Sequence, residues 1–441
     1  MANLTVNLNK IEGIIKPMNA TNNGPTAPSV RGTSTFQIFK DLRIPYARLH
    51  DSSFHECYGQ YSVDIHLIFD NFDADVDDPN SYDFRETDSY IKTIIDAGIE
   101  PFYRMGASIE HQIKRGTIPP KDYLKWAKIC EHVIRHYTQG WANGFNYKIT
   151  YWEIWNEPEC INPDGSNPCW QGTQDEFCDF FIVVFKHLKS CFPELMIGGP
   201  SFCEIYKHQD IVENFFKKIT AAGIKLDFFS FHRYAVSPLE ISSTIDLAHD
   251  YLNRYGMKDT KTVLNEWNYI RGWLNDEYLY SLRSVRGLKG ASFTLSTMLL
   301  CQHKDLDLLM YYDAAPSSYN TIYDIYEYAK EKGYYTYYAF AQLRELVNSL
   351  EVSSDDDEIQ LAASSDHKKT RILLSYFTET KDDVAPNKKL KIDIIGGKGK
   401  DAKVFLVDNE HDLSLVSEVK LESDSLELEA KLFDSYLIEL E

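Results

Sequence analysis

Two short runs hold the residues hardest to explain as packing: TYWEIWNE at 150–157 and TVLNEWN at 262–268. Each is an apolar, β-rich run carrying a glutamate preceded by asparagine: Asn156-Glu157 in the first, Asn265-Glu266 in the second. Pro158 stops the first run immediately afterwards. A carboxylate at the end of an apolar strand is costly to bury unless something uses it. Two such carboxylates facing one cleft can divide a task, one neutral and donating a proton, the other ionised and attacking. Cleavage of a glycosidic bond needs that division of labour. The bland alternative is a pair of strand-end surface carboxylates in ion pairs. Two Asn-Glu pairs in matching settings argue against it, because charge is seldom buried without a use or a partner.

Something must hold the two runs opposite each other. Up to about residue 345, extended apolar runs alternate with segments whose apolar residues recur at helical spacing. The extended runs are PYARLH (45–50), IEPFYRMG (99–106), TYWEIWNE (150–157), MIGG (196–199), LDFFSFHRY (226–234), TVLNEWN (262–268) and LDLLMYYDA (306–314). An eighth fits around IIKPMNA (14–20). Between them lie segments such as KDYLKWAKICEHVIRHY and EFCDFFIVVFKHLKS, several closing on glycine. Strand and helix in strict alternation predict a parallel sheet, and eight units close into a (β/α)8 barrel over residues 15–345. Catalytic side chains then project from the carboxyl ends of the strands. By this count Glu157 ends the fourth strand and Glu266 the seventh, on different sides of one barrel mouth.

The tail reads differently. Over 346–441 the helical period disappears and short alternating runs take over (EIQLAASS, TRILLSYFT, KLKIDIIGG, KVFLVDN, LELEAKL), separated by turn-formers such as SSDDD and APNKK. This pattern predicts a C-terminal β-sandwich domain. The opening NLTVNLN alternates likewise, so residues 1–14 are expected to add a strand to that domain.

WNEP at 155–158, with DFFSFHRY at 227–234 and NEWN at 265–268, resembles glycoside hydrolase family 39 of clan A, the family of β-xylosidases and α-L-iduronidases. The resemblance implies a catalytic barrel joined to a β-sandwich, and a retaining double displacement. Glu157 is then the general acid/base and Glu266 the nucleophile. It also implies substrate-binding roles for Asn156 at the sugar 2-hydroxyl, for His50 and Arg48 on the second strand, and for His232 and Tyr234 on the sixth. Arg48 could equally brace a carboxylate, and Tyr234 hold the nucleophile. Trp267 and Tyr312 complete the expected substrate contacts. One departure stands out: where clan members present a tryptophan on the eighth strand, this chain reads LLMYYDAAP, leaving Tyr311 or Tyr312 to floor the sugar site. Arg104, ending the third strand, places a cation near the mouth, for a uronic acid carboxylate or an acidic loop residue. The implied activity is an exo-acting, β-xylosidase-like hydrolase on complex glycans. Arabinosidase, iduronidase-like or endo-glycanase activity, or glycan binding without catalysis, are the alternatives on the same scaffold.

Composition limits the rest. A net charge of −20 argues against nucleic acid or an anionic membrane as partner, since both call for basic surfaces. The 29 tyrosines and 7 tryptophans suit stacking on sugar faces, although most must simply fill helix and sheet faces. The start, MANLTVNLNK, lacks the basic and apolar regions of a signal peptide. A cytoplasmic protein is therefore expected, or a periplasmic or secreted one if a leader precedes it. No cofactor and no metal are expected. Neither HExxH nor a GxSxG elbow occurs, and the acidic loop DNFDADVDDPN (70–80) has Asp78 where a calcium loop needs glycine. The 8 cysteines include no CxxC and read mostly as free buried thiols. Cys160 and Cys169 bracket the loop INPDGSNP, where a bridge would brace the chain beside Glu157.

Overall fold

The computed structural model describes residues 1–27, 34–50, 63–380 and 382–441. Eight parallel strands close a barrel: β2 (Ala20–Asn22), β3 (Tyr46–Leu49), β4 (Glu100–Met105), β5 (Tyr151–Ile154), β6 (Met196–Phe202), β7 (Phe228–Ala235), β8 (Lys261–Tyr269) and β9 (Leu308–Tyr311). They follow β1 (Ala2–Ile14), which lies outside the barrel. The first barrel strand is therefore not the expected 14–20 run. Ile14 ends β1, and the barrel begins six residues later with the three-residue strand at Ala20.

Helices cover the barrel, and their ends show why the sequence punctuates them there. Asp122 caps the helix Tyr123–Gln139 by accepting from the Lys125 amide at 2.9 Å, and Gly140 closes it at φ +70°. Thr173 and Glu176 form a reciprocal capping box that starts the helix Gln174–Cys191.

Side-chain alternation sorts the barrel interior into layers. Ala20, Phe102, Tyr151, Phe228, Val263, Leu308 and Met310 make one apolar cluster. Phe102 and Phe228 come from strands that are not neighbours, yet their rings are 5.3 Å apart, so this floor is packed and is not a channel. Two residues further along the same strands, the facing positions become polar or charged: Asn22, Arg104, Glu153, Ser230 and Asn265, all buried. The apolar floor seals one end, and the charged layer carries the site.

The remaining strands are β10 (Asn348–Ser354), β11 (Ile359–Ser365), β12 (Thr370–Tyr376), β13 (Lys388–Ile395), β14 (Asp401–Val407), β15 (Asp412–Lys420), β16 (Ser425–Ala430) and β17 (Ser435–Leu440). With β1 they form one hydrogen-bonded sheet in the order β15-β14-β17-β12-β11-β10-β1-β13-β16. β1 pairs antiparallel with β10 and parallel with β13, so both ends of the chain meet in this sheet. β10 and β11 are joined by only two residue pairs, Asn348–Ser365 and Ser349–Ser364, so the connected strands fold there into the two layers of the expected sandwich. One face, with Leu4, Val6, Ile372, Leu374, Ile392, Val404 and Ile438, is buried in a cluster of its own without a helix. The sheet must therefore curl over itself. The opposite face, through Leu373, Phe377 and Leu437, joins the barrel core, with Phe377 5.4 Å from Phe293 of the helix Leu288–Gln302.

Candidate active site

Local backbone irregularities aim the site's side chains. On β8 the pairing with β7 skips a residue between Leu264 and Glu266, leaving Asn265 as a bulge. A bulge lets two consecutive side chains turn the same way. Asn265 and Glu266 both enter the barrel, and Trp267 is thrown to the outside. On β6 a second bulge sits at Ser201, whose φ is +62°. Trp155 (φ +76°) and Glu157 (φ +48°) also occupy the left-handed region, unfavourable for residues with a Cβ. The Glu157 amide donates to the Ser201 carbonyl at 2.9 Å, which ties the turn after β5 to the bulge of β6. Strain of this kind persists only where surrounding structure enforces it.

Arg48 is the hub of the charged layer. It is fully buried, and all five of its N–H donors are engaged. Nε donates to Glu153 at 2.7 Å. Nη1 donates to Glu266 Oε1 at 2.7 Å and to Asn22 at 3.1 Å. Nη2 donates to Asn156 Oδ1 at 2.6 Å and to Ser201 at 2.9 Å. Burial opposes the charge on Arg48, but Glu153 and Glu266 outweigh it and hold its pKa above the usual value. Glu153 is completed by Ser230 and Asn265, each donating to Oε1 at 2.6 Å.

His232 stands between the two glutamates. Its Nδ1 is 2.7 Å from Glu157 Oε1 and 3.6 Å from Glu266 Oε2, and its Nε2 is 2.5 Å from Ser201 Oγ. Ser201 Oγ already accepts from Arg48 and Asn265, so its single proton goes to His232 Nε2. The proton on the ring then lies on Nδ1 and is donated to Glu157. Burial lowers the His232 pKa to about 4; Glu266 opposes that shift and Arg48 adds to it, so the ring is neutral at neutral pH.

Glu266 is held from three sides. Besides Arg48, Tyr234 donates to Oε2 at 2.8 Å, and His50 Nε2 lies 3.4 Å from Oε1. Burial and the Glu266 anion push the Tyr234 phenol well above its usual pKa, so it remains a donor. Burial, with Arg48, Arg104 and His232 nearby, keeps His50 neutral. One carboxylate oxygen of Glu157 lies within 4.8 Å of one on Glu266, and both residues are buried.

Several expected residues take other roles. Arg48 and His232 were expected to bind substrate; with their nitrogens all engaged internally, they brace the carboxylates. Trp267 was expected in the cleft as well. It is wholly buried in the helix-facing core, 6.1 Å from Phe293 and 5.5 Å from Tyr311, because it follows an inward glutamate. Tyr311 faces that core too, whereas half-buried Tyr312 lies 6.3 Å from His50 and 6.2 Å from Tyr234. Asn156 is buried, and its Nδ2 has no hydrogen-bond partner among the described residues. Arg104 pairs with Asp64 at 2.8 Å. Cys160 and Cys169 are both free thiols, so no bridge braces their loop. Sequence reasoning missed Glu153, Asn22, Ser201 and Ser230. The available signal was a polar residue two positions beyond an apolar one on an inward-facing strand.

A closed (β/α)8 barrel that gathers two buried glutamates at the carboxyl ends of its strands is a glycoside-hydrolase architecture. The family model for glycosyl hydrolases family 39 matches residues 40–274, more than half the chain, and the protein belongs to that family. A curated relative, a β-xylosidase from Geobacillus stearothermophilus, is 26% identical over 188 residues. That match covers 40% of this chain and 35% of the relative, so the chain aligns with about a third of that protein's length. Two solved structures share the fold along essentially the whole chain. A glucosidase from Croceicoccus marinus matches with a TM-score of 0.78 and 19% identity, covering 100% of this chain and 99% of its own. A monomeric β-xylosidase from Caulobacter crescentus matches at 0.71 and 15%, with the same coverage.

Proposed function

We propose that the protein is a retaining glycoside hydrolase that releases a terminal sugar, with β-xylosides as the leading substrate class. The carrying observation is the approach of the two carboxylates, oxygen to oxygen within 4.8 Å. Retaining enzymes hold their carboxyl groups about 5–5.5 Å apart, whereas inverting enzymes need about 6.5–9.5 Å to admit a water. Glu266, paired with Arg48 and oriented by Tyr234, attacks the anomeric carbon. Glu157 gives its proton to the leaving oxygen, then takes one from the water that frees the sugar. The open donors of Asn156 are suited to the 2-hydroxyl, where a hydrogen bond tightens in the transition state. The β-xylosidase relative supports the sugar class.

A panel of aryl glycosides (β-xyloside, α-arabinoside, β-glucoside, α-iduronide) tests the reading, with Glu157→Gln and Glu266→Gln beside the parent. The expected result is β-xyloside cleavage that Glu266→Gln abolishes for every leaving group. Glu157→Gln should retain more activity on glycosides with good leaving groups, which need little protonation. Preference for another sugar would overturn the xyloside assignment, and sugar binding without turnover would overturn catalysis.

A further inference from the structure

Two cysteines lie beside Glu157. Cys160 follows it by one turn, its amide donating to the Glu157 carbonyl at 3.1 Å. Cys169 ends the loop INPDGSNP. Cys169 Sγ lies 3.9 Å from Glu157 Oε2, whereas His232 contacts Oε1. One donor atom each from Glu157, Cys160 and Cys169 lies within 4.8 Å of the others. Cys169 is buried and Cys160 is partly exposed, so solvent reaches the group. The frame is pinned: Trp155 Nε1 donates to the Cys169 carbonyl at 3.0 Å, and Asn167 Oδ1 accepts from the Cys169 amide at 2.8 Å.

Two thiolates with one carboxylate form a ligand set for a thiophilic divalent ion, above all zinc, which takes sulfur at about 2.3 Å and oxygen at about 2.0–2.2 Å in a tetrahedron. Ligand atoms in such a tetrahedron sit roughly 3.5–3.8 Å apart, close to the 3.9 Å already separating Cys169 Sγ from Glu157 Oε2. We propose that Cys160, Cys169 and Glu157 form a zinc-binding site whose occupancy switches the enzyme off. Each coordinating thiol releases its proton to solvent as its sulfur–metal bond forms, and no electron transfer is involved. A metal-bound Glu157 carboxylate can neither give nor take a proton. The inhibitory half of the proposal rests on the function proposed above; the binding half does not.

A second trio, Glu131, His187 and Cys191, lies outside the barrel on the helices Tyr123–Gln139 and Gln174–Cys191. Arg135, 2.8 Å from Glu131, already supplies it with a cation. A Cys191→Ser background removes it as a source of extra stoichiometry. In that background, under a phosphine reductant that keeps thiols from pairing, Co²⁺ serves as the spectroscopic probe and Zn²⁺ as the inhibitor. One equivalent of Co²⁺ should bind with a thiolate-to-cobalt charge-transfer band, lost on adding Cys160→Ser and Cys169→Ser together. Absence of the band, or its survival in that variant, overturns the site whether or not the protein hydrolyses any glycoside. Zn²⁺ should abolish hydrolysis, a chelator restore it, and the double serine variant resist it by at least about tenfold. Equal zinc sensitivity of the two proteins, with the cobalt band intact, overturns the switch and keeps the site.

Discussion

The barrel mouth and the nine-stranded sheet solve the burial problem in opposite ways. The mouth buries Arg48, Arg104, Glu153, Glu157, Glu159 and Glu266, none more than 6% exposed. The enclosed face of the sheet is built almost wholly of apolar side chains, with Ser365 and Thr370 as buried hydroxyls, and ion pairs such as Lys10–Glu351 and Lys369–Glu439 are partly exposed. Buried charge is a poor way to stabilise a fold, because desolvation offsets most of the attraction. Its concentration at the mouth, around an Arg48 guanidinium with every donor in use, marks where chemistry has been favoured over stability. The sheet, free of that demand, stabilises and carries β1, which ties the start of the chain to its end.

The comparison breaks most visibly in activity. Glu266→Gln should lower kcat/KM by roughly 10⁴-fold or more while leaving the unfolding midpoint near the parent's. Arg48→Met should damage both properties, because it strands Glu153 and Glu266 without their shared cation. A loss of about 3–5 kcal/mol in urea unfolding is expected, together with nearly complete loss of turnover. In the sheet, Leu374→Ala should cost about 2–5 kcal/mol through the cavity it leaves, with kcat of the folded fraction unchanged. Equal activity losses from Arg48→Met and Leu374→Ala would erase the distinction between the two regions.

Titration sharpens it further. His232 has its pKa lowered to about 4 by burial, so the folded state binds fewer protons than the unfolded state between that value and about 6.5. Its contribution is complete above that window and is lost as pH falls through it, on the order of 3 kcal/mol. Asp434, after β16, has its pKa raised to about 6 by burial. The sign reverses: its contribution is present below the ordinary carboxylate range and is lost as pH rises to about 6. Asp434→Asn should therefore raise the melting temperature at pH 7 by about 1–2 °C and leave it unmoved at pH 4. His232→Gln should instead flatten the loss of stability between pH 6.5 and 4.

Much of this was legible before any coordinates. Strand–helix alternation implies a barrel because each strand's apolar run is buried on both faces, and Glu157 and Glu266 stand out as carboxylates ending such runs. Other features depend on contacts that residue spacing does not encode. The bulges at Asn265 and Ser201 decide which neighbours turn inward, so Trp267 looked like a cleft residue until the register was known. Arg48 has the residue type of a substrate ligand, and only the count of its occupied donors makes it a brace. The continuity of the sheet depends on β1 bridging β10 and β13, a pairing across most of the chain. Cys160 and Cys169 are close in sequence and in space, and proximity alone did not decide whether they bond.

The central claim is that Glu157 and Glu266 act on one anomeric carbon from opposite sides, through an intermediate bound to Glu266. Proton NMR of the first-formed sugar, recorded on the aryl glycoside cleaved fastest and before mutarotation, tests it directly. The account predicts that the product appears first with the anomeric configuration of the substrate. The opposite anomer appearing first would contradict it.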